Sequence, residues 1–337
     1  MPKQQRIDPR TVDRRMAQNR KAPTSSKNRG RSGRPGGRPP AEARPATLGT
    51  WIAGSRPQTL PLAVAAVALG YGAASVLFDP VGDHWLRGLG CLVVAIALQI
   101  GVNFANDYSD GVRGVDKNRV GPQRLVGSGR AKPRAVLTVA IVFFAIAAVA
   151  GVLVVWKSGQ WWLLAVGVVC IAAAWFYTGG KRPYGYSAFG ELAVFVFFGI
   201  VPVAGTMYVL TGTVNVEAWL AGVAAGCFAA AVLMANNLRD RERDAAADKR
   251  TLSVRLGAMG SRILYVVLML VPFGILAFYT LFYLGAGYVY FAVLAAIPAI
   301  MIVLTARTPR ELVTALQLTL LTALVYGLGV GAALAFL

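Results

Sequence analysis

The chain has 337 residues, of which 56% are hydrophobic and only 15% charged, yet 34 Lys and Arg stand against 15 Asp and Glu, for a net charge of +19. A single histidine, His84, argues against a His-ligated zinc centre or a His-dependent nucleophile triad. The three cysteines, Cys91, Cys170 and Cys227, lack CxxC spacing and read as small buried hydrophobes.

Residues 1–47 hold 13 basic and three acidic residues among many Gly, Pro and Ser, too little apolar surface to fold, and are expected to form a disordered cytosolic tail. The tail lacks the apolar h-region of a signal peptide, and its charge suits anionic lipid head groups; no specific nucleic-acid partner is expected. Residues 48–337 read as one all-α integral membrane domain, because apolar runs of about twenty residues match the thickness of a bilayer. Nine transmembrane helices are expected near 59–78, 87–108, 135–156, 161–178, 188–210, 217–236, 263–282, 287–306 and 313–336. With the N-terminus in the cytosol, 32 of the 34 basic residues fall on the inner side, only Arg87 and Lys157 lie outside, and the C-terminus ends outside. The Ala, Val, Gly and Arg bias points to a GC-rich bacterial genome and so to a bacterial plasma membrane.

At the inner end of the second span stands Asn103-Phe-Ala-Asn-Asp107-Tyr-Ser-Asp110, and at that of the sixth Asn236-Asn-Leu-Arg-Asp240-Arg-Glu-Arg-Asp244-Ala-Ala-Ala-Asp248. Seven of the 15 carboxylates lie in 107–116 and 240–248, and Asn103 and Asp107 repeat as Asn236 and Asp240 at an offset of 133. Carboxylates near a bilayer are costly, so their grouping calls for a function. Helical residues four apart lie on one face about 6 Å apart along the axis, so Asn103, Asp107 and Asp110 are expected to form one stripe of oxygen ligands and Asp240, Asp244 and Asp248 a second. Mg²⁺ takes hard oxygen ligands, usually one or two carboxylates plus phosphates and waters, so two such stripes across a cavity suit metal ions on a diphosphate. Arg113, Lys117, Arg119, Arg124, Lys181, Arg182, Lys249 and Arg250 fall at the same mouth and can neutralise a leaving diphosphate. Phe104, Trp175, Phe176, Tyr177, Phe195, Phe197 and Phe198 are placed to shield an apolar chain and to face an allylic cation. Glu191, near the inner end of the fifth span, is a candidate for support of the site. A cation-coupled transporter is the alternative from another class, although transporter sites tend to lie near the midplane rather than at a mouth.

These motifs resemble those of the UbiA superfamily of intramembrane prenyltransferases. Within it, the branch that prenylates 1,4-dihydroxy-2-naphthoate is matched by Arg56-Pro-Gln-Thr-Leu-Pro61, the run 103–116 with Gly121-Pro-Gln-Arg-Leu-Val-Gly-Ser-Gly129, Tyr177-Thr-Gly-Gly-Lys-Arg-Pro-Tyr-Gly185, and 236–244 continued through Lys249 to Gly257. The resemblance covers about residues 48–337. It implies a nine-helix bundle around a central cavity, with a polyprenyl diphosphate as donor, 1,4-dihydroxy-2-naphthoate as acceptor and two Mg²⁺ ions. Asp107 and Asp110 would hold one Mg²⁺ and Asp240 and Asp244 the other, with Asn103 beside the diphosphate and Arg113, Lys117, Arg124, Lys249 and either Lys181 or Arg182 meeting its phosphates. Arg56 is assigned to the acceptor carboxylate, with Asn236, Asp248 and Tyr177 also on the acceptor side. The expected product is demethylmenaquinone, formed with loss of CO2 and diphosphate; other acceptors, such as homogentisate, 4-hydroxybenzoate or a phosphosugar, are the alternative within the superfamily. Ubiquinone-type members place a third aspartate where this chain has Gly114, with Asp116 two residues later, and that departure favours the naphthoate branch.

Overall fold

Helix boundaries follow from local chemistry in this chain. Proline opens several helices at a position whose N–H has no intrahelical partner, and glycine in the left-handed region closes others. A computed structural model describes residues 45–77, 84–114 and 124–336. The tail reading falls mostly on residues outside these, as do Asp116, Lys117 and Arg119.

The helices run in the order α1 Leu48–Ser55, α2 Pro61–Ser75, α3 His84–Val112, α4 Pro133–Ser158, α5 Leu163–Thr178, α6 Gly190–Phe195, α7 Val201–Thr211, α8 Val216–Ala246, α9 Leu252–Thr280, α10 Val293–Thr305 and α11 Pro309–Ala335. A π-helical turn, Val196–Ile200, joins α6 to α7 in one segment, and a 3₁₀ stretch, Leu284–Ala292, leads into α10. Thr47 caps α1 by accepting from the Thr50 N–H, and Asn215 caps α8 by accepting from Ala218. Gly159 and Gly212, at φ 73° and 75°, end α4 and α7.

Among the described residues, seven segments are long and apolar enough to cross a membrane, and the pair Leu48–Thr59 and Pro61–Ser75, bent by 44°, makes an eighth if taken as one span. The chain is a multi-pass membrane protein. The expected span at 161–178 forms α5, whose 16 residues rise about 24 Å at 1.5 Å per residue, short of a hydrocarbon core of about 30 Å. The short helix α1 lies before the first expected span, and its eight residues are too few for an apolar run of membrane length.

Helix α8 is the centre of the bundle: 78% of its apolar window is buried, against 28% for α4 and α9. Its inner residues are chiefly Ala and Gly, which let neighbouring helices come close. At 31 residues it is about 46 Å long, so its last turns carry Asp240 and Asp244 beyond the apolar stretch. Phe228 on α8 packs edge-on against Tyr326 of α11, whose hydroxyl donates to the Pro272 carbonyl in α9 at 2.9 Å. A second apolar cluster, built on Phe104, Leu125, Val136 and Phe144, ties α3 to α4 and to the turn at 124–129.

Helices α2 and α11 meet through small residues: a Cβ on Gly72 would stand 2.3 Å from the Gly331 carbonyl oxygen, and one on Gly331 2.6 Å from that of Ala68. Gly72→Val is expected to force these backbones apart and cost about 1–3 kcal/mol. Thermal unfolding of the purified protein in one detergent, with Gly274→Ala as control because nothing lies within 4 Å of that site, would measure the loss.

Candidate functional site

The ends of α3 and α8 converge on a cavity of about 650 Å³ whose wall changes character along its length. Val94, Leu98, Ala147, Val152, Val168 and Phe198 line its apolar part, whereas Asp110, Arg124, Asp240, Arg243, Asp244 and Lys249 line its polar end. Such a wall suits a molecule with a long apolar body and a highly charged head.

On α3 the cavity face is Gln99, Asn103, Asn106 and Asp110, spaced by four, three and four residues. These side chains also position the neighbouring segments. Gln99 donates to the Thr59 carbonyl at 2.6 Å, Asn103 to that of Ser55 at 2.9 Å, and Asn106 accepts from the Thr178 hydroxyl at 2.6 Å. The expected stripe of Asn103, Asp107 and Asp110 is therefore rotated. Asp107 lies about 100° round the helix from Asn106 and does not line the cavity. Its two oxygens accept the backbone N–H groups of Leu125 at 2.7 Å and Val126 at 3.1 Å, which anchors the turn that carries Arg124.

Asp110 is the hub of the polar end. Its Oδ2 lies 3.2 Å from Nη2 of Arg124, and its Oδ1 accepts from the Tyr186 hydroxyl at 2.6 Å with Nζ of Lys249 at 3.9 Å. That ammonium also sits 4.0 Å from the centroid of the Tyr186 ring, a cation–π contact. Burial, and then the charge of Asp110, push the Tyr186 hydroxyl well above the ordinary tyrosine range, so it remains a hydrogen-bond donor at neutral pH. Burial likewise pushes Tyr184, which donates to the Ala173 carbonyl at 2.7 Å, up to about 12. The Arg250 N–H binds the Tyr186 carbonyl at 2.9 Å, so the turn at 184–186 is held to the segment after α8.

On α8 the cavity receives Asn236, Asn237, Asp240, Arg243 and Asp244. Both Asp240 oxygens are met by Arg239, Nε to Oδ1 at 3.0 Å and Nη2 to Oδ2 at 2.7 Å. Asp248 does not extend this stripe. Helix α8 ends at Ala246, and Asp248 adopts φ 54° in the following turn, its side chain 91% exposed and 3.6 Å from Nε of Arg250.

The remaining expected residues divide in two. Arg56, at φ 54° between α1 and the 3₁₀ turn Pro57–Thr59, lines the cavity, as do Asn236 and Tyr177. Lys181 and Arg182 are exposed and lie off the wall. Arg113 also lies off it, where it straps the end of α5 by donating to the carbonyls of Thr178 and Gly180. Glu191 is buried and accepts from Nδ2 of Asn237 at 2.8 Å. Of the seven aromatic residues expected around an apolar chain, Tyr177, Phe197 and Phe198 line the cavity, while Phe104, only 2% exposed, is spent on the smaller core.

Sequence reasoning passed over Gln99, Asn106, Tyr186, Asn237, Arg239 and Arg243. Gln99 and Asn106 stood within reach, four before and three after Asn103. Tyr186 lies in a loop with no periodicity to point to it. Among the described residues no group of three or more His, Cys, Asp or Glu is placed to hold a metal ion. The carboxylates instead suit a hard cation that takes only one or two protein oxygens per motif and draws the rest from a bound anion and water.

The model of the UbiA prenyltransferase family matches residues 59–313. The chain is 49% identical over 294 residues to 1,4-dihydroxy-2-naphthoate octaprenyltransferase of Mycobacterium tuberculosis, covering 86% of this chain and 98% of that protein. Among solved structures, a UbiA homolog from Aeropyrum pernix K1 superposes with a TM-score of 0.63 at 15% identity, covering 79% of this chain and 96% of that one. A UbiA homolog from Archaeoglobus fulgidus bound to DMAPP and Mg²⁺ does so with a TM-score of 0.60 at 14% identity, covering 86% and 100%. On the extent of the family match and the likeness of its relatives, the chain belongs to the UbiA prenyltransferase family.

Proposed function

We propose that the chain transfers a polyprenyl group from polyprenyl diphosphate to 1,4-dihydroxy-2-naphthoate, releasing diphosphate and CO2 and forming demethylmenaquinone. The observation that carries this reading is the cavity itself, apolar along one part and lined elsewhere by the carboxylates Asp110, Asp240 and Asp244 and the cations Arg56, Arg124, Arg243 and Lys249. The 49% identity to the mycobacterial octaprenyltransferase supports the choice of acceptor.

The all-oxygen carboxylate set suits Mg²⁺, and Asp110, Asp240 and Asp244 are the residues that would hold it. When bound, Mg²⁺ supplies positive charge that stabilises the departing diphosphate. Asp107 contributes through the turn it anchors. Arg124, Arg243 and Lys249 add fixed positive charge at the same end, where the surrounding apolar wall strengthens electrostatic effects. The wall of α4, α5 and α7 excludes water from the prenyl chain, with Phe197, Phe198 and Tyr177 offering ring faces to an allylic cation. Arg56 is placed at the cavity to take the acceptor carboxylate until it leaves as CO2.

The protein resides in the bacterial plasma membrane with the acidic motifs and N-terminus on the cytosolic side, and residues 1–47 form a separate basic tail that meets anionic lipids. The functional test is incubation of the purified full-length chain in nanodiscs with polyprenyl diphosphate, 1,4-dihydroxy-2-naphthoate and Mg²⁺, with and without EDTA. Mass spectrometry should find the prenylated, decarboxylated quinol only when Mg²⁺ is free. Diphosphate release with another aromatic acceptor but never with the naphthoate would move the activity elsewhere in the family.

A further inference from the structure

The pairing of Glu191 with Asn237 is not explained by the acidic motifs. Glu191 is 5% exposed at the start of a membrane-crossing segment, a costly place for a carboxylate. Its Oε1 accepts from Nδ2 of Asn237, and its Oε2 has no hydrogen-bond partner among the described residues. Asn237 lines the cavity three residues before Asp240, on the same face of α8. The Asn237 group that faces Glu191 is the NH2, which donates to Oε1, and the amide carbonyl Oδ1 is left to the cavity. Tyr177 borders the same corner, its hydroxyl 3.6 Å from where a Cβ on Gly190 would stand.

Building on the prenyl-transfer reading above, we infer that Asn237 Oδ1 accepts a hydrogen bond from a ring hydroxyl of the aromatic acceptor, and that Glu191 is the positioning residue that holds the amide in that orientation. An aromatic ring attacks an allylic cation by pushing electrons from its hydroxyl oxygen, on which positive charge then develops. A carbonyl that accepts from that hydroxyl stabilises the charge, and the carboxylate behind the amide polarises it further in a water-poor site. The pair makes no covalent bond itself. It acts on the acceptor and leaves the diphosphate to the other residues.

The test compares the natural acceptor with its two mono-methyl ethers, each lacking one hydroxyl proton, on wild type, Asn237→Ala, Glu191→Gln and the double variant. Wild type should lose about tenfold to a hundredfold in kcat/KM with one ether relative to the other. Asn237→Ala should lose a similar factor on the natural acceptor and discriminate between the ethers no longer. Glu191→Gln, nearly isosteric but able to donate, should blunt the same discrimination by letting the amide turn over, and the double variant should be no worse than Asn237→Ala. Equilibrium binding of radiolabelled polyprenyl diphosphate with Mg²⁺ should stay at the wild-type level throughout. Wild-type discrimination retained in both single variants would overturn the inference. So would loss of diphosphate binding in both, because that marks a structural role. A wild type that prenylates no naphthoate would instead reject the functional reading on which the inference rests, and the wild-type control tells the two failures apart.

Discussion

Asp240→Asn is expected to lower the rate of prenyl transfer by about 10² to 10⁴, a barrier increase of several kcal/mol. The substitution keeps the size of the side chain and removes one negative charge at the polar end of the cavity. In the structure that charge is matched by Arg239 through two hydrogen bonds, and the Arg239 side chain is only 3% exposed. On the proposed function, the variant loses a ligand for Mg²⁺, and it leaves Arg239 with a weaker partner. Asp110→Asn should behave alike, because Asp110 joins Arg124, Lys249 and Tyr186. Rates measured across a Mg²⁺ titration are the check: the half-saturating Mg²⁺ concentration should rise in both variants. Near-wild-type activity in Asp240→Asn at ordinary Mg²⁺ would reject the assignment of this carboxylate to the cation.

Asp107→Ala should cost nearly as much, about 10²-fold in kcat/KM, and for a different reason. Its carboxylate receives two backbone N–H groups at 2.7 and 3.1 Å, and charge-assisted hydrogen bonds of this kind are worth about 1.5–3 kcal/mol each. Without them the turn that carries Arg124 is released, and Arg124 no longer stands over Asp110. The KM for polyprenyl diphosphate should rise while the half-saturating Mg²⁺ concentration stays near the wild-type value. Arg124→Ala should show the same pattern, and the double variant should lose less than the two single losses combined. A large rise in the Mg²⁺ requirement of Asp107→Ala would show that Asp107 is a metal ligand after all.

The contrast between these two aspartates shows where sequence reading reaches its limit. Asp107 and Asp110 look equivalent in a motif, since both lie on the α3 face nominated by Asn103. Their side chains are separated by the choice of which flank of the helix meets the cavity and which meets the loop, and that depends on the packing of residues 124–129 against α3. Asp248 fails for a similar reason. Four-residue spacing continues the stripe only while the helix continues, and α8 ends two residues earlier. Lys181 and Arg182 have the charge that a diphosphate wants, but both side chains are exposed and neither lines the cavity.

What the sequence by itself determined is the material of the protein: apolar segments of membrane length, two acidic motifs at the same end of the bundle, and the family they mark. These features are local, set by hydrophobic runs and by residue spacing along one helix. Only the tertiary structure decided how each motif is spent, turning Asn106 rather than Asp107 to the cavity, setting Tyr186 and Lys249 on Asp110, and backing Asn237 with Glu191. Such pairings join residues 46 to 139 positions apart in the chain, and a contact at that range is fixed by how whole helices pack rather than by any period in the sequence.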